Sequence, residues 1–125
     1  MLNFFFIRTD NRFVKVNFHE ISYVEACGNY VRIVTANKSF IVLLSMKQME
    51  KVLPCKLFCR VHRSYIVALN SITAFDHELV YLDNKHIPLS DYYKNLLQEK
   101  VMIVLSEVRH QPKLSNVSIE TLMEK

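Results

Sequence analysis

The stretch Phe58-Cys59-Arg60-Val61-His62-Arg63-Ser64-Tyr65-Ile66-Val67-Ala68-Leu69-Asn70-Ser71-Ile72 restricts this chain more than any other part of it. Two apolar runs rich in β-branched and aromatic residues flank three consecutive polar ones, His62-Arg63-Ser64. Such runs are favoured on a pleated, half-buried surface, so they read as strands that hold the three polar side chains between them. The pattern implies a rigid scaffold presenting a small polar tip.

The rest of the chain follows the same pattern. Residues 4–7 and 13–16 read as strands around the turn Thr9-Asp10-Asn11. Residues 21–27 (ISYVEAC) and 30–35 (YVRIVT) read as two more, joined at Gly28-Asn29, a pair suited to a tight turn with positive φ. Ala36-Asn37-Lys38 turns the chain into a strand over 39–43. Ser45 with Gln48 three residues later forms a capping box, and Met46, Met49, Val52 and Leu53 recur at helical spacing until Pro54. That helix, near 45–53, is too short to stand alone and must pack on a sheet. Beyond the central stretch, short strands are expected at 79–82 and 86–88. Ser90 is placed to cap a C-terminal helix near 91–104 with Tyr93, Leu96, Leu97, Val101, Val104 and Leu105 on one stripe. The expected fold is mainly β, with packed short antiparallel sheets and these two helices. Residues 1–105 are expected to form one domain. Residues 106–125 read as a polar tail with a short amphipathic turn near 119–123.

Composition removes several function classes. The chain has one glycine, so a glycine-rich phosphate cradle is excluded. Cys27, Cys55 and Cys59 are odd in number and lack metal-type spacing, which argues for reduced thiols over a disulfide framework or a zinc site. No segment approaches the ~20 apolar residues of a membrane span, and the apolar N-terminus is too short for a signal core, has no basic n-region and runs directly into Arg8 and Asp10; the chain is expected in the cytoplasm, away from membranes. The net charge is +4, unevenly placed: from Asn29 to Arg63, seven Lys and Arg residues face Glu50 alone. Such a field suits a polyanion partner, although a solvated basic face explains it equally well.

Four segments in order carry a family resemblance: Ile21-Ser22-Tyr23-Val24-Glu25-Ala26, Gly28-Asn29-Tyr30-Val31, the block from Phe58 to Val67, and Ile87-Pro88-Leu89-Ser90. Over about residues 3–103 the chain resembles the LytTR family, the DNA-binding output domains of bacterial response regulators. The resemblance implies an elongated, mostly β fold whose loops enter the major groove, a role in transcription regulation, and paired direct-repeat half-sites bound by two protomers. Response regulators of this family place a phosphoacceptor domain ahead of this one, and no stretch here resembles it.

Carried over residue by residue, the resemblance places Asn29 and Tyr30 on one DNA-facing loop and Arg63 and Ser64 on a second. A third place follows Ser90, where the family often has arginine one or two positions on. Here Asp91 and Tyr92 stand there, with Lys94 the nearest cation. Ala68 also departs from the asparagine common at its position. The chemistry of the side chains agrees: Arg63 can fork onto guanine O6 and N7, and Asn29 can pair with adenine N6 and N7. Arg32, Lys38, Lys56 and Lys94 are expected to neutralise phosphates, and His62 to hold the tip by hydrogen bonding. Each has a plainer alternative: a surface pair with Glu25 or Asp91 for Arg63, a pure turn role for Asn29, solvation for Lys94.

No enzyme is expected, because adjacent residues on a turn point apart and neither an orienting group nor an oxyanion donor accompanies His62-Arg63-Ser64. The five histidines show no ligand spacing, so no metal, cofactor or small-molecule substrate is expected. The rival reading is a non-catalytic interaction or dimerisation module using the aromatic N-terminal strands as an edge. It leaves the basic middle third unexplained.

Overall fold

The computed structural model describes residues 2–106. Strands β1 (Phe4–Thr9) and β2 (Arg12–Asn17) form a hairpin by themselves. Asp10 takes φ 52° in its turn, a left-handed value that aspartate tolerates better than most residues. Strands β3 (Ile21–Cys27), β4 (Tyr30–Thr35), β5 (Ser39–Val42), β6 (Phe58–His62) and β7 (Tyr65–Ala68) make an antiparallel sheet ordered β5-β4-β3-β7-β6. Strands β8 (Ala74–Phe75), β9 (Leu79–Leu82) and β10 (Lys85–Pro88) make a third, smaller sheet. Helix α1 (Met46–Val52) joins β5 to β6, and helix α2 (Asp91–Lys100) follows β10.

The five-stranded sheet is the middle layer. Its alternating side chains feed two cores, as a pleated strand buried on both faces must. One face contributes Val24, Val31, Ile33 and Ile66 and packs against Ile7 and Val16 of the hairpin and Met46 and Met49 of α1. The other contributes Tyr23, Cys59, Val61 and Val67 and packs against Val80 and Ile87 of the small sheet and Leu97 of α2. Register shifts between Ile21 and Tyr23 and between Arg60 and His62 mark bulges. The second lies immediately before the tip.

Helix α1 starts where its capping box predicts. Ser45 Oγ accepts from the Gln48 amide at 3.1 Å, and Gln48 Oε1 accepts from the Ser45 amide at 2.9 Å. The second helix differs from expectation. It ends at Lys100, with Val101 extended at φ −125°, and Val104 and Leu105 are exposed. Lys100 Nζ donates to the carbonyls of Cys55 and Phe58, at the start of β6. A further turn would project past the end of the sheet with no surface to cover. Ser90 occupies the N-cap position, but its hydroxyl makes no capping bond. Apart from Ser106, the expected tail with its amphipathic turn lies outside the described residues.

Candidate nucleic-acid interface

Pairing of Glu25 with Tyr65 and of Cys27 with Tyr30 puts two turns at the same end of the middle sheet: Gly28-Asn29 and Arg63-Ser64. Gly28 takes φ +64°, so this turn uses its freedom from a Cβ. The first residues of α2 come to the same end, because the Ser90 amide donates to the Val61 carbonyl at 2.9 Å. The Ala26 amide donates to the Ser64 carbonyl at 2.9 Å. Three tips thus stand in a row, tied to one another by main-chain hydrogen bonds.

The middle tip is braced from inside. His62 Nδ1 accepts from the Ser64 amide at 3.0 Å, which fixes the neutral ring as its Nε2–H tautomer. The His62 ring lies 5.7 Å from that of Tyr65. Arg60 Nε donates to the His62 carbonyl at 2.9 Å, and Nη2 donates to the Arg63 carbonyl. The same guanidinium pairs with Glu50 of α1 at 2.8 Å and lies 5.7 Å over the Tyr93 ring of α2. Arg60 therefore fastens the turn to both helices. Sequence reasoning missed it: its partners are carbonyls exposed by the bulge, and only its place two residues before the polar knot hinted at a role.

Behind the first two tips, Glu25 accepts twice from Arg32, at 2.9 and 3.2 Å, and once from the Tyr65 hydroxyl at 3.2 Å. Glu25 holds the Arg32 guanidinium above its ordinary pKa, and burial followed by the Glu25 charge raises the Tyr65 phenol. Arg32 is thus engaged in the scaffold through Nε and Nη2. Lys94 pairs with Asp91 at 2.9 Å, which lowers the Asp91 carboxyl. The two carboxylates considered as surface partners for Arg63 are therefore both occupied by other bases. The Arg63 side chain is exposed and makes no hydrogen bond or ion pair among the described residues. Asn29 and Tyr30 are exposed beside it.

The structure separates the remaining candidates from the row. Lys38 lies on the β4–β5 turn, where it contacts the Phe40 ring, and Lys56 lies on the turn before β6. Both are at the opposite end of the sheet, a strand length of about 20 Å away. Nearness in sequence concealed this, since an antiparallel strand carries consecutive turns to opposite ends. Among the described residues, no group of three His, Cys, Asp or Glu side chains is placed to hold a metal ion. No helix among them is long and apolar enough to cross a membrane.

Fold and site together define a β scaffold that displays loop tips along one end. The chain belongs to the LytTR family: the model of the LytTr DNA-binding domain matches residues 11–102. A solved LytTr DNA-binding domain from Bacillus cereus superposes with a TM-score of 0.68 at 25% identity, covering 80% of this chain and 97% of that one. The sensory transduction protein LytT of Bacillus anthracis is 29% identical over 96 residues, 72% of this chain and 39% of LytT. A response regulatory protein of Yersinia pestis is 32% identical over 99 residues, 74% of this chain and 40% of that protein. The CO-responsive transcriptional regulator RcoM of Rhodospirillum rubrum is 44% identical over a shorter stretch of 55 residues, 44% of this chain and 23% of RcoM. The match thus spans less than half the length of LytT, RcoM and the Yersinia pestis protein. Membership makes this a DNA-binding domain of the kind used in transcription regulation.

Proposed function

We propose that residues 1–105 act as one sequence-specific domain whose loop tips enter the major groove of double-stranded DNA. The observation that carries this is the free guanidinium of Arg63 on a turn whose His62, Arg63 and Ser64 carbonyls and Ser64 amide are all hydrogen-bonded. A fixed backbone with one unpaired bidentate donor suits the O6 and N7 edge of guanine. Asn29, at the tip beside it, is assigned to adenine, with Tyr30 flanking it and Ser64 donating to a phosphate oxygen. His62 is assigned to support.

Phosphate neutralisation, within this reading, follows from position. Lys38 and Lys56 act through the long-range field, Arg32 stays in the scaffold, and Lys94 engages phosphate only when it leaves Asp91. Lys47, exposed in the first turn of α1, and Arg8, which lies with Leu43 and Leu44 on the β5 flank, are nearer the row. The relatives' names, a sensory transduction protein and a response regulatory protein, support a regulator in bacterial signal transduction. Action in the cytoplasm, on direct-repeat half-sites bound by two protomers, belongs to the same proposal.

Selection of bound sequences from a random duplex pool with the purified protein tests the proposal. Enrichment of a short motif containing guanine is expected, and a pool that stays random would sink the sequence-specific reading.

A further inference from the structure

Strand β2 turns Val14 and Val16 toward the middle sheet, where both pack on the core shared with α1. Side chains two apart on a strand share a face, so Arg12 is on that same core-facing side of the hairpin. It is exposed all the same, and its side chain makes no hydrogen bond or ion pair among the described residues. The hairpin therefore overshoots the core and hangs Arg12 past the end of the sheet it covers. Arg8 is the contrast: it is on the outer face, with its guanidinium 5.8 Å over the Phe13 ring.

Two observations fix which end of the sheet this is. The Phe18 amide donates to the Asn3 carbonyl at 3.0 Å, and the Phe18 ring lies 6.3 Å from that of Phe58, which begins β6 at the end away from the tips. The open end of the hairpin is thus at that far end, and its turn, Asp10-Asn11, points toward the tips. In agreement, Arg8 lines a groove with Leu43 and Leu44, which follow Val42, and Val42 pairs with Val31 next to Tyr30. The hairpin packs on one face of the middle sheet and α2 on the other, so Arg12 flanks the row on the side opposite the start of α2. Packed sheets lie about 10 Å apart, and the major groove is about 12 Å wide. With the tips seated in the groove, a side chain displaced by one sheet spacing meets the backbone at the rim and not a base.

We infer that Arg12 is a further DNA contact, a guanidinium that binds a backbone phosphate beside the groove entered by Asn29 and positions the tips without reading sequence. The inference rests on the proposed seating of the tips in the major groove. Asp10 shares the turn, is exposed and forms no ion pair with Arg12 among the described residues. Its carboxylate faces the same phosphate backbone and opposes the contact.

Anisotropy titrations over a salt series, on the selected duplex and on a random one, test it. Arg12→Ala is expected to weaken both duplexes alike, by roughly fivefold at about 0.1 M salt, and to reduce the steepness of the log–log salt dependence by about 1. Arg12→Lys keeps a point charge and is expected to restore most of the loss. Asp10→Asn, which suits the left-handed turn position as well as aspartate does, is expected to tighten binding to both. Ethylation interference then locates the contact: one phosphate whose ethylation weakens the wild-type complex is expected to lose that effect with Arg12→Ala. Should Arg12→Ala melt early, Arg12→Gln repeats the design. An alanine variant that binds as wild type does, one that loses base preference instead of affinity for both duplexes, or a loss that lysine does not restore each overturn the inference. If the wild type selects no sequence, the tip reading fails by itself, while an equal loss and a shallower salt dependence on random duplex still uphold the phosphate contact.

Discussion

At position 63 the main chain and side chain have separate duties: the Arg63 carbonyl accepts from Arg60, while its guanidinium is free among the described residues. Replacing Arg63 by Ala is expected to cost ~1–3 kcal/mol on the selected site and to relax preference at one base pair, with little change on random duplex. Competition titrations against both duplexes measure this, and equal losses on both would remove Arg63 from base reading. Arg60 has the opposite profile. Its guanidinium reaches two carbonyls, Glu50 and the face of Tyr93 at once. Arg60→Lys keeps the charge and loses the planar fork, so it is expected to weaken specific binding and to lower the melting temperature. Arg63→Ala should leave the melting temperature unchanged. Cys59, whose thiol burial pushes up to about 11, belongs to the core that supports both arginines.

Among the elements, α1 tests how far a two-turn helix depends on its first residue. Ser45→Ala removes one half of the capping box and leaves a helix amide unpaired, at an expected cost of ~1 kcal/mol in urea unfolding. The connection from β8 to β9 depends on Asp76. Its carboxylate accepts the Tyr81 hydroxyl at 2.6 Å and the amides of Glu78 and Leu79, and these bonds, the hydroxyl first, lower its pKa to about 2. The folded value is below the unfolded one, so the stabilisation is present above about pH 4 and is lost as pH falls through about 2. Asp76→Ala should therefore melt earlier than wild type at neutral pH, with the gap closing in acid. Most elements were legible in sequence because turn chemistry punctuates them: Gly28-Asn29, Asp83-Asn84 and Pro54 fix where strands and helices stop. The end of α2 was not legible, because its apolar stripe carries no information about where the supporting sheet ends. The position of Lys38 and Lys56 relative to the tips was not legible either, because charge density along a chain ignores which end of a strand each turn occupies.

For the molecule as a whole, the seven basic residues between Asn29 and Arg63 overstate what reaches the row, since Arg32 and Arg60 are paired with acids and Lys38 and Lys56 stand at the far end of the sheet. Binding should still fall with salt, with a log–log slope of roughly −3, below what seven basic residues between Asn29 and Arg63 suggest. Fluorescence anisotropy over a salt series gives the slope, and a flat response would favour a protein-interaction module. The main-chain bonds from Ala26 to Ser64 and from Ser90 to Val61 set the spacing of the tips without using any tip side chain. Neighbouring tips stand about two strand spacings apart, roughly 10 Å, a separation at which mutational effects usually add within ~0.5 kcal/mol. On the proposed reading, positions 29 and 63 behave as separate type in a fixed frame, and a descendant of this chain is expected to respell one letter of its recognition site while leaving the other as it was.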